Sequence, residues 1–357
     1  MNHSNLTAAA VFTAILGLAS CKKETEIIVK EVEKKNSWSE VGVFNGFERV
    51  ILSTGSNGQS LYFQHPNLFT RFTNQNPVRG RRTSVNPVSD VRVRLAIGAQ
   101  IHAYPEVDSI LAIARNDEPL NYRHYVELKK VDPTGIRLNT RLFSLSKGMA
   151  INQNNYVLAP YDNNRPSRPF TFLLVAVTPG APGMPVTGST RQVVIPQINN
   201  SGGYVRNLAA IDDYFLVNLG DAGIYKIKQD GTFRKVHPGA IVDAFYKWNN
   251  VVYAPAEYNE ILTSTDNGDT WLKSTGTPDQ FTLASYYPVR DSLVGVHFGS
   301  LYTLRWNGPR FTMRALKNDG LERATITGIE YLRDTVYVAT TSGLFARPVK
   351  TFFETKL

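Results

Sequence analysis

Val251-Val252-Tyr253-Ala254, then Ile261-Leu262-Thr263, then Ser264-Thr265-Asp266-Asn267-Gly268-Asp269-Thr270-Trp271 is the stretch that decides the fold. Two short runs of β-branched and aromatic residues flank a polar loop and end in a turn, the pattern of neighbouring antiparallel strands. In the turn, Asp266 is placed to accept hydrogen bonds from the amides that follow, Gly268 supplies backbone freedom, and Trp271 is placed to bury its ring beside the next strand.

Working outward, the same pairing recurs. Comparable first runs stand at Val50–Ser53, Ile110–Ile113, Tyr156–Ala159, Tyr214–Val217, Leu293–Val296 and Val336–Ala339, giving seven with Val251–Ala254. Most are followed, after a loop of Gly, Asn, Asp or Pro, by a second run such as Leu61–Phe63, Ile224–Ile227, Leu301–Leu304 or Leu344–Ala346. Further turns follow at Asp230-Gly231 and Asn307-Gly308, read as two-residue hairpins in which both central residues take positive φ. Second-run starts at 224, 261, 301 and 344 have the period of a propeller blade. The spacing therefore predicts an all-β domain, a β-propeller of seven blades with six as the alternative. Pro77–Pro87 and Pro179–Gly188 read as insertions between strands.

Ser264–Trp271 resembles the Asp box, Ser-x-Asp-x-Gly-x-Thr-Trp, at Ser264, Asp266, Gly268, Thr270 and Trp271. The resemblance is to BNR-repeat propellers, the sialidase-like and photosystem II stability factor-like superfamily. It implies a staple between the third and fourth strands of a blade, away from the ligand face, so these five residues are expected to be structural. Sialidases also resemble one another in an arginine triad and a Phe/Tyr-Arg-Ile-Pro segment. Here Val193-Val194-Ile195-Pro196 lacks that arginine, so no catalytic residue is carried over.

The amino terminus reads as an address. Leu6–Leu18 is apolar, uncharged and too short to span a bilayer, and it leads into Leu18-Ala19-Ser20-Cys21. This resembles the bacterial lipobox, which implies cleavage before Cys21, the single cysteine, and its acylation as a lipid anchor. Lys22 at the next position resembles the sorting of outer-membrane lipoproteins, facing either the periplasm or the surface. Residues 1–20 are thus expected to be signal peptide, 21–35 a charged tether and 36–357 a single propeller domain.

The net charge of +9 is uneven, and the surplus lies between Arg71 and Arg168, where fifteen basic residues meet eight acidic ones. An exported chain meets little nucleic acid, so this is read as a solvated basic face. The six histidines lack metal-ligand spacing and no phosphate loop or nucleophile elbow occurs, so neither metal nor cofactor is expected.

Ligands are expected on the connections at the channel mouth. The candidates there are Tyr161, Asp162, Arg165, Asp221, Glu257, Tyr258, Asn259 and His297, with Asn57, Gln59, Asp117, Glu118 and Asn163 on the same connections. The reading is a monomeric, non-catalytic binding or scaffold propeller engaging a glycan or a partner protein, with a sialidase-like glycoside hydrolase or lyase as the alternative.

Overall fold

Short apolar runs, each closed by a turn residue, make strands in nearly all of the computed structural model, and the middle strands of the blades are buried on both faces. The model describes residues 38–42, 44, 46–66, 69–72, 96–116, 122–138, 148–196, 204–239, 241–256, 260–274, 285–307, 310–321 and 324–356. The chain divides into Met1–Lys35 and Asn36–Leu357. The signal peptide, Cys21 and the tether lie outside the described residues.

The second unit opens with β1 (Ser39–Glu40). Blade one is β2 (Ser53–Ser56), β3 (Leu61–Gln64) and β4 (Phe69–Phe72), and blade two is β5 (Ala96–Ile97), β6 (Ile101–Val107), β7 (Ile110–Arg115) and β8 (His124–Glu127). The link onward holds α1 (Leu128–Val131) and β9 (Gly135–Leu138). Blade three is β10 (Ala150–Ile151), β11 (Tyr156–Asn163), β12 (Phe170–Thr178) and β13 (Thr187–Ile195). Blade four is β14 (Asn207–Ile211), β15 (Tyr214–Asn218), β16 (Ile224–Ile227) and β17 (Phe233–His237). Blade five is β18 (Tyr246–Trp248), β19 (Val251–Ala256), β20 (Glu260–Ser264) and β21 (Leu272–Ser274). Blade six is β22 (Ser285–Val289), β23 (Ser292–His297), β24 (Ser300–Asn307) and β25 (Arg310–Ala315). Blade seven is β26 (Ile326–Leu332), β27 (Thr335–Thr340) and β28 (Gly343–Pro348), and a final α2 (Val349–Phe352) follows.

Every blade is an antiparallel meander, and the first strands of successive blades meet around an axis. The fold is an all-β, seven-bladed propeller. Sequence does not announce how the ring closes. β1, from the other end of the domain, supplies the fourth strand of blade seven by pairing Ser39 with Ala346 and Glu40 with Phe345. Blades stack through apolar faces, as where Leu111 and Ile113 of blade two meet Leu173 and Val175 of blade three. Each such fully buried side chain contributes roughly 1.5–3 kcal/mol, which compensates for sheets too small to form a core alone.

In a meander, alternate connections lie at alternate ends. The second-to-third turns and the links between blades share one face, the mouth, and the first-to-second and third-to-fourth turns share the opposite face. This changes the phase of the repeat at two places. Ile110–Ile113 lies in a third strand, β7, so the second-to-third turn of blade two is Asp108–Ser109; Asp117 and Glu118, which follow β7, lie outside the described residues. Val50–Leu52 precedes β2 and belongs to a link, so Asn57 and Gln59 sit in a first-to-second turn on the face opposite the mouth. There Asn57 caps its own turn, its Oδ1 accepting from the Gln59 and Ser60 amides.

The turn at Asp230 also differs from expectation. Ile227 pairs with Phe233, leaving five residues between them, and only Gly231 takes positive φ. Asp230 instead accepts from the Thr232 amide at 2.9 Å and hydroxyl at 2.6 Å, which bends the chain without a left-handed aspartate. At the second Asx-Gly pair, Asn307 is itself a strand partner of Arg310, and residues 308–309 lie outside the described set.

Between β20 and β21, Asp266 Oδ1 accepts from the Thr270 amide at 2.8 Å, the Asp269 amide at 3.1 Å and the Ser264 hydroxyl at 2.7 Å. Its Oδ2 accepts the Thr270 hydroxyl at 2.6 Å. The Thr270 hydroxyl and amide hold the Asp266 carboxyl well below the usual carboxylate range. Trp271 packs against the core between blades four and five and lies 6.2 Å from Phe245, centroid to centroid. Lys226 of β16 is nearly buried and spans the same seam, donating to Asn267 O at 2.9 Å and Asp269 Oδ1 at 2.6 Å. Asp266→Ala removes an exposed acceptor of four bonds and is expected to cost about 1–2 kcal/mol. Thermal unfolding should show a melting point lower by a few degrees, and an unchanged curve would mean the carboxylate does not hold the turn.

Candidate functional site

The mouth between blades four, five and six carries the set of polar groups that sequence reading missed. Arg206 immediately precedes β14, and its amide donates to Asn218 O at the end of β15, at 2.8 Å. Asp243 lies in the link to β18, fixed there by its amide donating to Pro255 O at 2.9 Å and by the Val242–Ala256 bridge. Val242 is itself held by Asn218, whose Oδ1 accepts the Val242 amide at 3.1 Å. The Asn207 side-chain amide donates to Asp243 O. These bonds bring the Arg206 guanidinium to Asp243, Nη2 to Oδ1 2.8 Å.

Asp243 is half-buried: its side chain keeps 23% of its surface exposed and that of Arg206 12%. Burial pushes the Asp243 carboxyl above its ordinary range, and Arg206 offsets only part of that. Two tyrosines complete the inner wall. Tyr246 opens β18 and Tyr286 lies in β22; their rings meet edge to face at 5.6 Å, and the Tyr286 amide donates to the Tyr246 hydroxyl at 3.0 Å. Burial raises both phenols, with the nearby Asp243 charge adding to the effect, so both stay neutral donors. A partly exposed carboxylate and a fixed guanidinium, backed by the buried Tyr286 and the partly buried Tyr246, form a preorganised hydrogen-bonding surface.

A signal for this set does exist in the sequence. The first-to-second turns of blades four to seven are two-residue hairpins at Asp212-Asp213, Asn249-Asn250, Arg290-Asp291 and Arg333-Asp334, whose first members all take positive φ. They phase the inner strands, and Arg206 and Asp243 each precede such a turn by the length of one strand plus its lead-in.

The expected residues scatter around this mouth. Tyr161 is a buried residue of β11, because β9 of the preceding link pairs over it, Leu138 opposite Tyr161. Its hydroxyl donates to Asp132 Oδ2 at 2.8 Å, and Arg165 Nη2 reaches the same oxygen at 3.0 Å. Burial opposes the charge on Asp132, but the Thr134 hydroxyl, Tyr161, the Thr134 amide and Arg165 together hold its carboxyl below the usual range. Tyr161 and Arg165 therefore pin the link to blade three, and Tyr161 is corrected from a contact residue to a packing one. Asp162 is half-buried next to Asn163, whose side chain bonds Pro169 O and Thr171 Oγ1. Asp221 is exposed in the second-to-third turn of blade four. His297 ends β23 with its ring 4.3 Å from Phe298, which is 85% exposed at the tip of the corresponding turn in blade six. Glu257, Tyr258 and Asn259 lie outside the described residues. Among the described residues no three of His, Cys, Asp and Glu converge as metal ligands.

No family model matches the chain, and no curated protein does. Solved structures do. The β-propeller domain of Cps50 (Swd1) from Myceliophteria thermophila superposes with a TM-score of 0.55 at 10% identity, over 87% of this chain and 98% of that one. YCF48 bound to D1 peptide gives 0.53 at 10% identity, over 88% and 97%. The extracellular domain of BT4673 from B. thetaiotaomicron gives 0.46 at 9% identity, and the present chain spans 40% of its length. At such identities the likeness is one of fold.

Proposed function

We propose that this chain is a membrane-tethered, non-catalytic binding propeller that takes a partner protein or a glycan at the mouth between blades four, five and six. The observation that carries the reading is the half-buried Arg206–Asp243 pair beside Tyr246 and Tyr286. Fixed donors and acceptors on a rigid scaffold suit peptide amides and sugar hydroxyls alike. A propeller of the same fold is described as bound to a peptide, which makes peptides the first class to try. The tether belongs to the same proposal: an acylated Cys21 in an outer-membrane lipoprotein, with Ser264–Trp271 acting as an Asp box on the face away from the ligand.

The test is a peptide array and a glycan array probed with wild type, Asp243→Asn and Asp266→Ala. Hits should weaken about tenfold or more with Asp243→Asn, the cost of one charge-assisted bond, and survive Asp266→Ala. Hits indifferent to Asp243 would refute the location. Sustained hydrolysis on the glycan panel, abolished by Glu257→Gln or Asp162→Asn, would refute the absence of catalysis.

A further inference from the structure

The face opposite the mouth carries an apolar rim. β12 and β13 are the longest strands of the described chain, nine residues each, and stay in register from Phe170–Ile195 to Thr178–Thr187. Their hairpin ends in Pro179-Gly180-Ala181-Pro182-Gly183-Met184-Pro185-Val186, where Ala181, Pro182, Met184 and Pro185 are exposed, Met184 by 56%. From Pro169 through Thr190 no residue is charged.

This tip is fixed in place. Arg115 Nη1 of blade two donates to Gly180 O at 2.7 Å, the Val186 amide to Tyr122 O at 3.2 Å and the Met184 amide to Ala181 O at 3.0 Å. Val186 is buried in the core between blades two and three. Neighbouring blades continue the feature. Tyr122 (37% exposed) precedes β8, Phe233 (38%) opens β17 and Leu272 (72%) opens β21. Exposed apolar side chains thus stand at the third-to-fourth connections of blades two, three, four and five; beside the last two, Arg234 pairs with Asp269 and Lys273 with Glu260, and Asp230 and Asp266 are exposed. An apolar arc with a tyrosine at its edge and an uncharged tip at its centre matches an interfacial lipid surface. Three prolines in the tip also leave fewer amides to desolvate there.

The route of the chain selects the occupant. Fourth strands run from this face toward the mouth, and β1 is a fourth strand, with Ser39 lying nearer than Glu40 to the Pro348 end of β28. The described chain therefore starts, at Trp38, on the same side as the arc, and the sequence joining it to Cys21 is sixteen residues long. From Cys21 it can extend about 60 Å at most, short enough to make docking intramolecular and raise the effective concentration.

Resting on the lipoprotein reading above, we propose that the Pro179–Val186 tip, with Tyr122, Phe233 and Leu272, docks onto the phospholipid surface that holds the Cys21 anchor. The mouth then points away from the membrane. Because Cys21 is the single cysteine and is acylated, Met184→Cys and Phe298→Cys each give a unique thiol for an environment-sensitive fluorophore. On vesicles of phosphatidylethanolamine and phosphatidylglycerol, the lipidated chain labelled at 184 should shift to the blue and be quenched by brominated lipid, and the label at 298 should do neither. Adding Leu272→Asp should weaken the quenching at 184 several-fold while leaving the melting point unchanged, because Leu272 is 72% exposed. An aqueous spectrum at 184, equal quenching at 298, or a shift that depends on protein concentration without vesicles would overturn docking; the last would assign the tip to a second copy. Mass spectrometry of the amino-terminal peptide tests the anchor separately. Should Cys21 carry no acyl chain, a hexahistidine-tagged chain with Cys21→Ser on nickel-chelating lipid must still give the 184-specific quenching, or the docking proposal falls.

Discussion

Acidification from pH 7 to pH 4 is expected to remove about 3 kcal/mol of stability through His102 alone. The imidazole is 4% exposed in β6, stacks on Tyr104 with centroids 6.0 Å apart, and shares a hydrogen bond at 3.2 Å between its Nδ1 and Asn116 Oδ1. Burial is the main cause that lowers its pKa from 6.5 to about 4; the Arg123 charge adds to this, and the Asn116 bond opposes it. Between those values the unfolded chain binds a proton that the folded chain refuses, so stability is complete above 6.5 and falls as pH drops toward 4. A shift of that size corresponds to about 3 kcal/mol. His65, His124 and His237 are lowered by burial too and act in the same sense. Urea denaturation between pH 7 and 4 should show the loss, and His102→Gln should flatten the curve over that window. A His102→Gln curve parallel to wild type would mean the imidazole is not buried neutral.

The second large effect is expected where the ring closes. Gly328 of β26 faces Thr54 of β2, and a Cβ at 328 would stand 2.1 Å from Thr54 Oγ1 and 2.9 Å from its Cβ. Thr54 cannot turn aside freely, since its hydroxyl donates to Glu330 Oε1 at 2.9 Å. Gly328→Val must separate the innermost strands of blades seven and one and break that bond, at about 3 kcal/mol. Adding Thr54→Ala should recover part of the loss, because the nearest clashing atom is gone. Equilibrium denaturation of the single and double variants checks both statements; additive losses would mean that the two strands do not touch as described.

The four carboxy-terminal blades were legible in the sequence because each pairs two short apolar runs across a polar turn. Ser264–Trp271 was legible because its chemistry is local: every acceptor bond of Asp266 spans four residues or fewer. Blades one and two were phased wrongly for an equally physical reason. Val50–Leu52 looks like a strand, but Ile51 is buried in a link and bonds across to Thr340 of blade seven, a partner nearly the whole chain away. In blade two, Pro105 hides β6, whose pairing slips between Pro105 and Val107.

The mouth resisted reading because Arg206 and Asp243 form no local motif, and their spacing to the Asp212-Asp213 and Asn249-Asn250 turns becomes a signal only once those turns are phased as first-to-second hairpins. Arg206 and Asp243 meet only after two blades have folded and stacked, and neither residue stands near the other in the chain. Tyr161 failed in the opposite way. It belongs to a polar-looking segment, yet a strand from the preceding link covers it.

The most direct test of the account is hydrogen exchange on the lipidated chain with and without the tightest array ligand. Protection confined to 204–207, 241–246 and 285–287 is the predicted result. Protection at 178–187 and 264–271 instead, with those three segments unchanged, would contradict it.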